Sequence, residues 1–171
     1  RFGVYGNIVE PYLFNKKKDF RIFINEIPLE TISLNISFEN LSRLKSVKNN
    51  ALEVGYLMNN DEYVSAKLNY NDEDFRIKLR LKGDDVSHIK NGKWSYRIKI
   101  DDEKTLFGMK KFSLHHPKER DYLNEWIFHK FMYQEGVISL RYKFINVKSF
   151  SNINYSLYLD HKNIKINKNN L

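Results

Sequence analysis

Apolar and polar residues alternate without a break from Phe75 to Lys82. Phe75, Ile77, Leu79 and Leu81 share one parity, and Arg76, Lys78, Arg80 and Lys82 take the other. A period of two marks a strand with one buried face. After a polar loop over 83–93 the pattern returns: Trp94, Tyr96, Ile98 and Ile100 fall together, with Ser95, Arg97 and Lys99 opposite. Matching the two apolar faces gathers the cations of both strands on one surface. Like charges directly across a ladder cost roughly 0.2–1 kcal/mol per pair. That surface is therefore expected to be spread out in water, matched by carboxylates, or met by an anion. As a solvated face, its lysines would also discourage edge pairing.

The same periods organise the rest of the chain. Residues 1–18, with Gly3, Gly6 and Pro11, hold no sustained period and read as an irregular lead-in. A short strand is expected over 20–24, a turn around 25–28, and a second strand where Ile32, Leu34, Ile36 and Phe38 alternate. Ser37 or Asn40 can cap a helix carrying Leu41, Leu44, Val47 and Leu52, which Gly55 ends. Val64, Ala66, Leu68 and Tyr70 form a strand that the polar turn 71–74 folds onto Phe75 as a hairpin. Beyond the central pair, 111–115 predicts a strand entered through Leu106, Phe107 and Gly108. Pro117 and Gly136 bracket a helix of about five turns. Its Leu123, Trp126, Ile127, Phe131 and Met132 predict a broad buried face. Tyr142, Phe144, Ile145 and Val147 give a strand, and a turn at 151–154 returns the chain into 155–159. The fold class is α+β: a mostly antiparallel sheet of about six or seven strands with one major helix packed on it.

Composition narrows the classes. A chain of 171 residues with 42% hydrophobic and 15% aromatic residues can bury a real core, which sets it apart from the disordered class. The absence of cysteine excludes disulfides, thiolate metal sites and a cysteine nucleophile. With 29 basic against 21 acidic residues the formal charge is +8, which favours phosphates, nucleic acid or anionic lipid. No apolar run long enough to span a bilayer and no signal-peptide pattern is present; any signal or anchor is expected upstream of Arg1. The first residue and the polar ending are those expected of a piece of a longer protein.

The standard phosphate-loop, dinucleotide, zincin and hydrolase-elbow signatures are missing. His115 with His116, and Glu125 with His129 at helical spacing, have metal-ligand chemistry. Five histidines without a three-ligand spacing favour surface or core roles instead. Nucleic-acid binding would need aromatics beside the cations, and Trp94 and Tyr96 have the opposite parity. One constellation remains. Gly83 opens and Gly92 closes the loop, so backbone amides can approach a phosphate. Lys99 follows on the cationic face, and Glu125 lies in the helix beyond. Protein kinases order the parts this way: a loop over the phosphates, a lysine on them, and a helix glutamate orienting that lysine.

The segments KWSYRIKID, TLFGMKKFSLHHP, RDYLNEWIFHKFMYQEG, LRYKFINV and SLYLDH, taken in order, resemble the spore-coat protein H (CotH) kinase-like family over roughly 79–161. The resemblance implies an atypical protein kinase that uses ATP and a divalent metal such as Mg to phosphorylate protein serines. It makes Lys99 the nucleotide lysine, 83–93 (with Gly83 and Gly92) the loop over the phosphates, and 117–135 the helix that could bring Glu125 to Lys99. Residues 71–162 would be the amino-terminal lobe, 1–70 an extension holding an irregular lead-in, strands and a helix, and 163–171 a polar tail. The catalytic and metal-binding aspartates would lie downstream in a larger lobe, leaving this fragment inactive alone. A non-catalytic structural or adhesion module of a cell envelope or spore surface, and a polyanion-binding domain, are the alternatives.

Overall fold

The structure, a computed structural model, describes residues 19, 21, 25–57, 62–83, 85–90 and 94–149, and the backbone of 155–160. Seven strands close a barrel. They are β1 (Glu30–Asn35), β2 (Val64–Tyr70), β3 (Glu73–Leu81), β4 (Tyr96–Ile100), β5 (Lys111–His115), β6 (Phe144–Ser149) and β7 (Tyr155–Asp160), in the spatial order 1-2-3-4-5-7-6. All neighbours pair antiparallel except β1 and β6, which run parallel and close the ring. The α+β class holds, and the sheet is mostly antiparallel as the alternation implied.

Parity decides the inside. Ile32, Leu34, Leu68, Phe75, Ile77, Leu79, Ile98, Phe112, Leu114, Ile145 and Val147 fill one core, almost without exposure. Residues of the other parity form the outer wall. The β2–β3 hairpin turns through Asn71 and Asp72, both at positive φ, with Tyr70 opposite Glu73. A two-residue turn of this kind matches the twist of the strands. The expected boundary at 70/71 falls inside this hairpin, and the strands on either side of it share one sheet and one core.

Two expectations change. Phe38 does not extend β1: Ser37 accepts a hydrogen bond from the Asn40 amide at 3.3 Å and starts α1 (Phe38–Val54), leaving Phe38 85% exposed. The cap wins because it satisfies an amide the first helical turn leaves without a partner. Gly55 ends α1 at φ 89°, and α1 sets Leu44 and Ala51 onto the barrel core. The packed helix is thus the earlier one. The helix expected over 117–135 is broken. A 3-10 turn, Pro117–Arg120, ends at Asp121 and Tyr122, both at positive φ, and α3 runs only Asn124–Gln134 with no fully buried residue. The break directs Tyr122, Leu123 and Trp126 onto Phe144, an outward residue of β6, while Ile127 and Phe131 of the expected buried face stay exposed. Among the described residues, α2 (Ser87–Lys90) is the α-helix between α1 and α3. The strand expected over 20–24 falls mostly outside the described residues; Arg21, Asn25 and Glu26 are helical.

Side chains lock the closure. Glu30 on β1 accepts from Lys143 Nζ at 2.5 Å and from the Tyr70 hydroxyl at 2.6 Å. Lys143, on the chain leading into β6, also lies 4.1 Å from the centroid of Phe107, and Phe107 meets Tyr70 edge-on. The bond from Lys143, then that from Tyr70, holds the Glu30 carboxyl below the usual range. A carboxyl depressed in the folded state contributes stability above its unfolded pKa of about 4.3 and loses it as the pH falls through the folded value. Urea unfolding of wild type and Glu30→Gln should therefore differ most near neutrality, wild type being the more stable, and converge in acid. A gap independent of pH would sink this assignment.

Candidate anion-binding site

The outer wall of β3, β4 and β5 carries the charge. Register sets Lys78 opposite Lys99 and Arg80 opposite Arg97, with Lys111 the next neighbour of Lys99. The like-charged ladder anticipated by parity is present.

Charge matching differs along the strands. At the end near the β2–β3 turn, carboxylates serve the cations. Arg76 pairs with Asp102 at 2.7 Å, Lys78 with Asp101 at 3.2 Å, Lys104 with Glu73 at 2.7 Å and Lys110 with Glu103 at 3.2 Å. Asp102 is held below the usual carboxylate range by the Arg76 backbone amide and then by its side chain. Toward the loop the partners change character. Lys99 Nζ stands 3.9 Å from the centroid of Tyr63, and the same ring receives Arg80 at 5.6 Å. Arg80 donates to the Leu81 carbonyl at 3.2 Å, and its buried Nε has no acceptor among the described residues. Arg97 donates to Ser113 Oγ at 2.7 Å. A ring, a carbonyl and a hydroxyl do not neutralise a cation, so among the described residues the charges of Arg80, Arg97 and Lys99 stay uncompensated.

The loop after β3 is folded against this wall. Asp85 accepts from the Ser87 amide at 2.6 Å at the start of α2, and Ile89 is fully buried in the core. The Ser95 amide donates to the His88 carbonyl at 3.0 Å, and the Lys82 amide donates to the Ser95 carbonyl at 2.9 Å. His88 packs against His115 with ring centroids 5.8 Å apart, and Lys82 Nζ lies 3.0 Å from His115 Nε2. Ser95, Ser113 and His115, outward by parity, are consequently buried outside the barrel. Burial pushes the His88 imidazole below its ordinary pKa; nearby Arg120 and Lys82 act the same way, and Glu119 opposes them. Gly83 has φ 133°, and a Cβ there would lie 2.6 Å from the His88 ring, so the glycine is where the loop crosses that side chain.

The named site residues fall as follows. Gly83 and Lys99 belong to this wall and its loop, and Gly92 lies outside the described residues. Glu125 sits in the first turn of α3, accepts from the Tyr142 hydroxyl, and pairs with Arg120 at 3.4 Å. Lys99 and Glu125 thus hold separate sets of partners. Of the histidines weighed for metal, His116 accepts from the Lys118 amide and His129 from the Leu140 amide. Among the described residues no group of three His, Asp or Glu is placed to hold a metal, and no helix is long and apolar enough to cross a membrane. Tyr63 was the residue missed. It precedes Val64, which faces Leu79 across the ladder, so parity puts Tyr63 outward beside Arg80. No family model matches the chain, and no curated protein matches it.

Burial of His88 where the loop meets the wall favours its neutral form. Its depressed pKa means stability present above about pH 6.5 that fades as the pH falls. Amide exchange of 85–90 should accelerate on acidification from pH 8 to 5 by more than the intrinsic rate change, and His88→Asn should remove the excess. Unchanged excess in the variant would place the pH response elsewhere.

Proposed function

We propose that the chain is the nucleotide-holding, amino-terminal part of a CotH-like atypical protein kinase, which in the full-length protein transfers a phosphoryl group from ATP to a protein serine. The observation that carries this is the wall itself: Arg80, Arg97 and Lys99 converge beside a loop that crosses at Gly83, and among the described residues none of the three pairs with a carboxylate. Such a surface suits a compact polyanion, which would gain charge-assisted hydrogen bonds from fixed donors. Support also comes from the order along the chain: strand, loop, lysine-bearing strand, further strand, then helix α3 with Glu125 in its first turn.

Lys99 would leave Tyr63 for the phosphates, and Arg97 and Arg80 would add donors. Glu125 would exchange Arg120 for Lys99 if it orients that lysine. The described residues suit phosphate oxygens better than a metal, so the divalent ion would be held by ligands elsewhere in the full-length protein. Ile127, Phe128 and Phe131, exposed together on one side of α3, give a partner lobe an apolar surface. A polyanion-binding domain would use the same wall through the row Lys78, Lys99 and Lys111. Its affinity would fall steeply with salt and ignore nucleotide identity.

In the full-length protein, Lys99→Ala should lower ATP-dependent serine phosphorylation on the order of a hundredfold, as losing one electrostatic contact to the transferring group does. The folded fraction, followed by circular dichroism, should not change. Undiminished phosphorylation would remove Lys99 from the mechanism.

A further inference from the structure

On the side of α3 away from Ile127, Phe128 and Phe131, a cleft of about 310 Å³ opens between the helix and the chain entering β6. Trp126, His129, Lys130 and Tyr133 recur at helical spacing along one wall. The opposite wall is held in place by His129, whose Nδ1 accepts from the Leu140 amide at 3.2 Å and whose ring stacks 4.7 Å from Tyr142. Because Nδ1 accepts, the ring proton is on Nε2. Phe107 closes one end, presented by a tight turn in which Leu106 and Met109 exchange backbone hydrogen bonds.

The lining is aromatic and one-signed. Phe107, Trp126, Tyr133 and Tyr142 contribute rings, Lys130, Arg141 and Lys143 contribute cations, and no carboxylate among the described residues lines it. Lys143 is engaged by Glu30. Lys130 stands 5.7 Å from the Trp126 ring, and Arg141 makes no ion pair or hydrogen bond among the described residues. Both are exposed at the rim. The apolar surface continues beyond the mouth through Tyr133, 75% exposed, and Ile138, 63% exposed.

We propose that this cleft docks an acidic peptide segment of a partner protein, with one aromatic side chain seated among the rings and its carboxylates on Lys130 and Arg141. The volume is at the small end of ligand sites and takes one anchor side chain. The apolar rim gives an extended backbone something to cover, which a lone small molecule would leave exposed. A second copy of this chain is disfavoured, because two molecules of formal charge +8 would meet at a cationic surface. Aromatic anchors in a pocket with charged contacts at the rim is the arrangement in which a few residues supply most of an interface's binding energy.

Calorimetric titration of the chain with an acetylated peptide, a phenylalanine flanked on both sides by aspartates, should show saturable binding. Lys130→Glu and Arg141→Glu, both at exposed positions, should each weaken it on the order of tenfold with unchanged circular dichroism. Replacing the probe's phenylalanine by alanine should abolish binding. The proposal is overturned by no binding to the intact chain, by equal affinity in the charge-reversed variants, or by equal binding of a lysine-flanked probe. It is overturned too by self-association that Arg141→Glu abolishes, which would make a second copy the occupant, or by displacement of the peptide by ATP. Displacement by ATP would put peptide and nucleotide at one place and so bears on the kinase proposal as well; the other outcomes do not involve the Lys99 wall and leave that proposal as it was.

Discussion

The parallel pairing of β1 with β6 is the contact on which the remaining geometry rests. It runs from Glu30 opposite Ile145 to Leu34 opposite Ser149, joining segments from opposite ends of the described chain. Without it the sheet would have two open edges, and Ile32, Leu34, Ile145 and Val147 would lose the neighbours that enclose them. Closure also makes the other parity an exterior. Once the ring is shut, Arg80, Arg97 and Lys99 have no face to occupy but the outer wall. Hairpins such as β2–β3 form from local contacts, whereas β1 and β6 meet only after a long loop is closed. The entropy of that closure is the largest single topological cost in the fold.

Much of this was legible in the residues. The alternation in β3 and β4 gave both the buried face and the ladder of like charges, because a period of two leaves no freedom once one face is apolar. Ser37 and Gly55 marked the ends of α1 because their side chains, or the lack of one, meet a specific backbone need. What escaped has a common cause: it depends on partners distant in sequence. Nothing local marks β1 as the neighbour of β6. Leu123, Trp126, Ile127 and Phe131 recur at helical spacing, but only Phe144 on a remote strand decides that Leu123 and Trp126 are covered and Phe131 is not. Ser95, Ser113 and His115 look solvated by parity and are buried, with His88 of α2 against Ser95 and His115 and the Arg97 guanidinium on Ser113. The order of loop, lysine-bearing strand and glutamate-bearing helix was visible along the chain, while the separate commitments of Lys99 to Tyr63 and of Glu125 to Tyr142 and Arg120 appear only in three dimensions.

The wall is costly to keep. Three like-charged neighbours, Lys78 with Lys99, Lys99 with Lys111 and Arg80 with Arg97, each oppose folding by roughly 0.2–1 kcal/mol. The Tyr63 ring returns about 0.5–1 kcal/mol per cation at an exposed site, which offsets part of this without removing any charge. A chain selected only for stability could place a carboxylate at Tyr63, as it does at Asp101 and Asp102 a few residues along. Aromatic rather than acidic company leaves the charge of the lysine uncompensated, where a carboxylate would cancel it.

That contrast separates the two cationic surfaces of the molecule. Among the described residues both carry cations unmatched by carboxylates, so charge alone cannot tell them apart. At the barrel wall the neighbours are Ser113, a carbonyl and one ring, and a ligand there must itself satisfy the donors, which a phosphate with many acceptor oxygens does. At the cleft beside α3 the neighbours are four rings, and an anion without an apolar part would leave them wet. The break at Asp121 and Tyr122 produces this division. By redirecting the chain onto Phe144 it leaves α3 with one side toward the cleft and the other, with Ile127, Phe128 and Phe131, toward solvent.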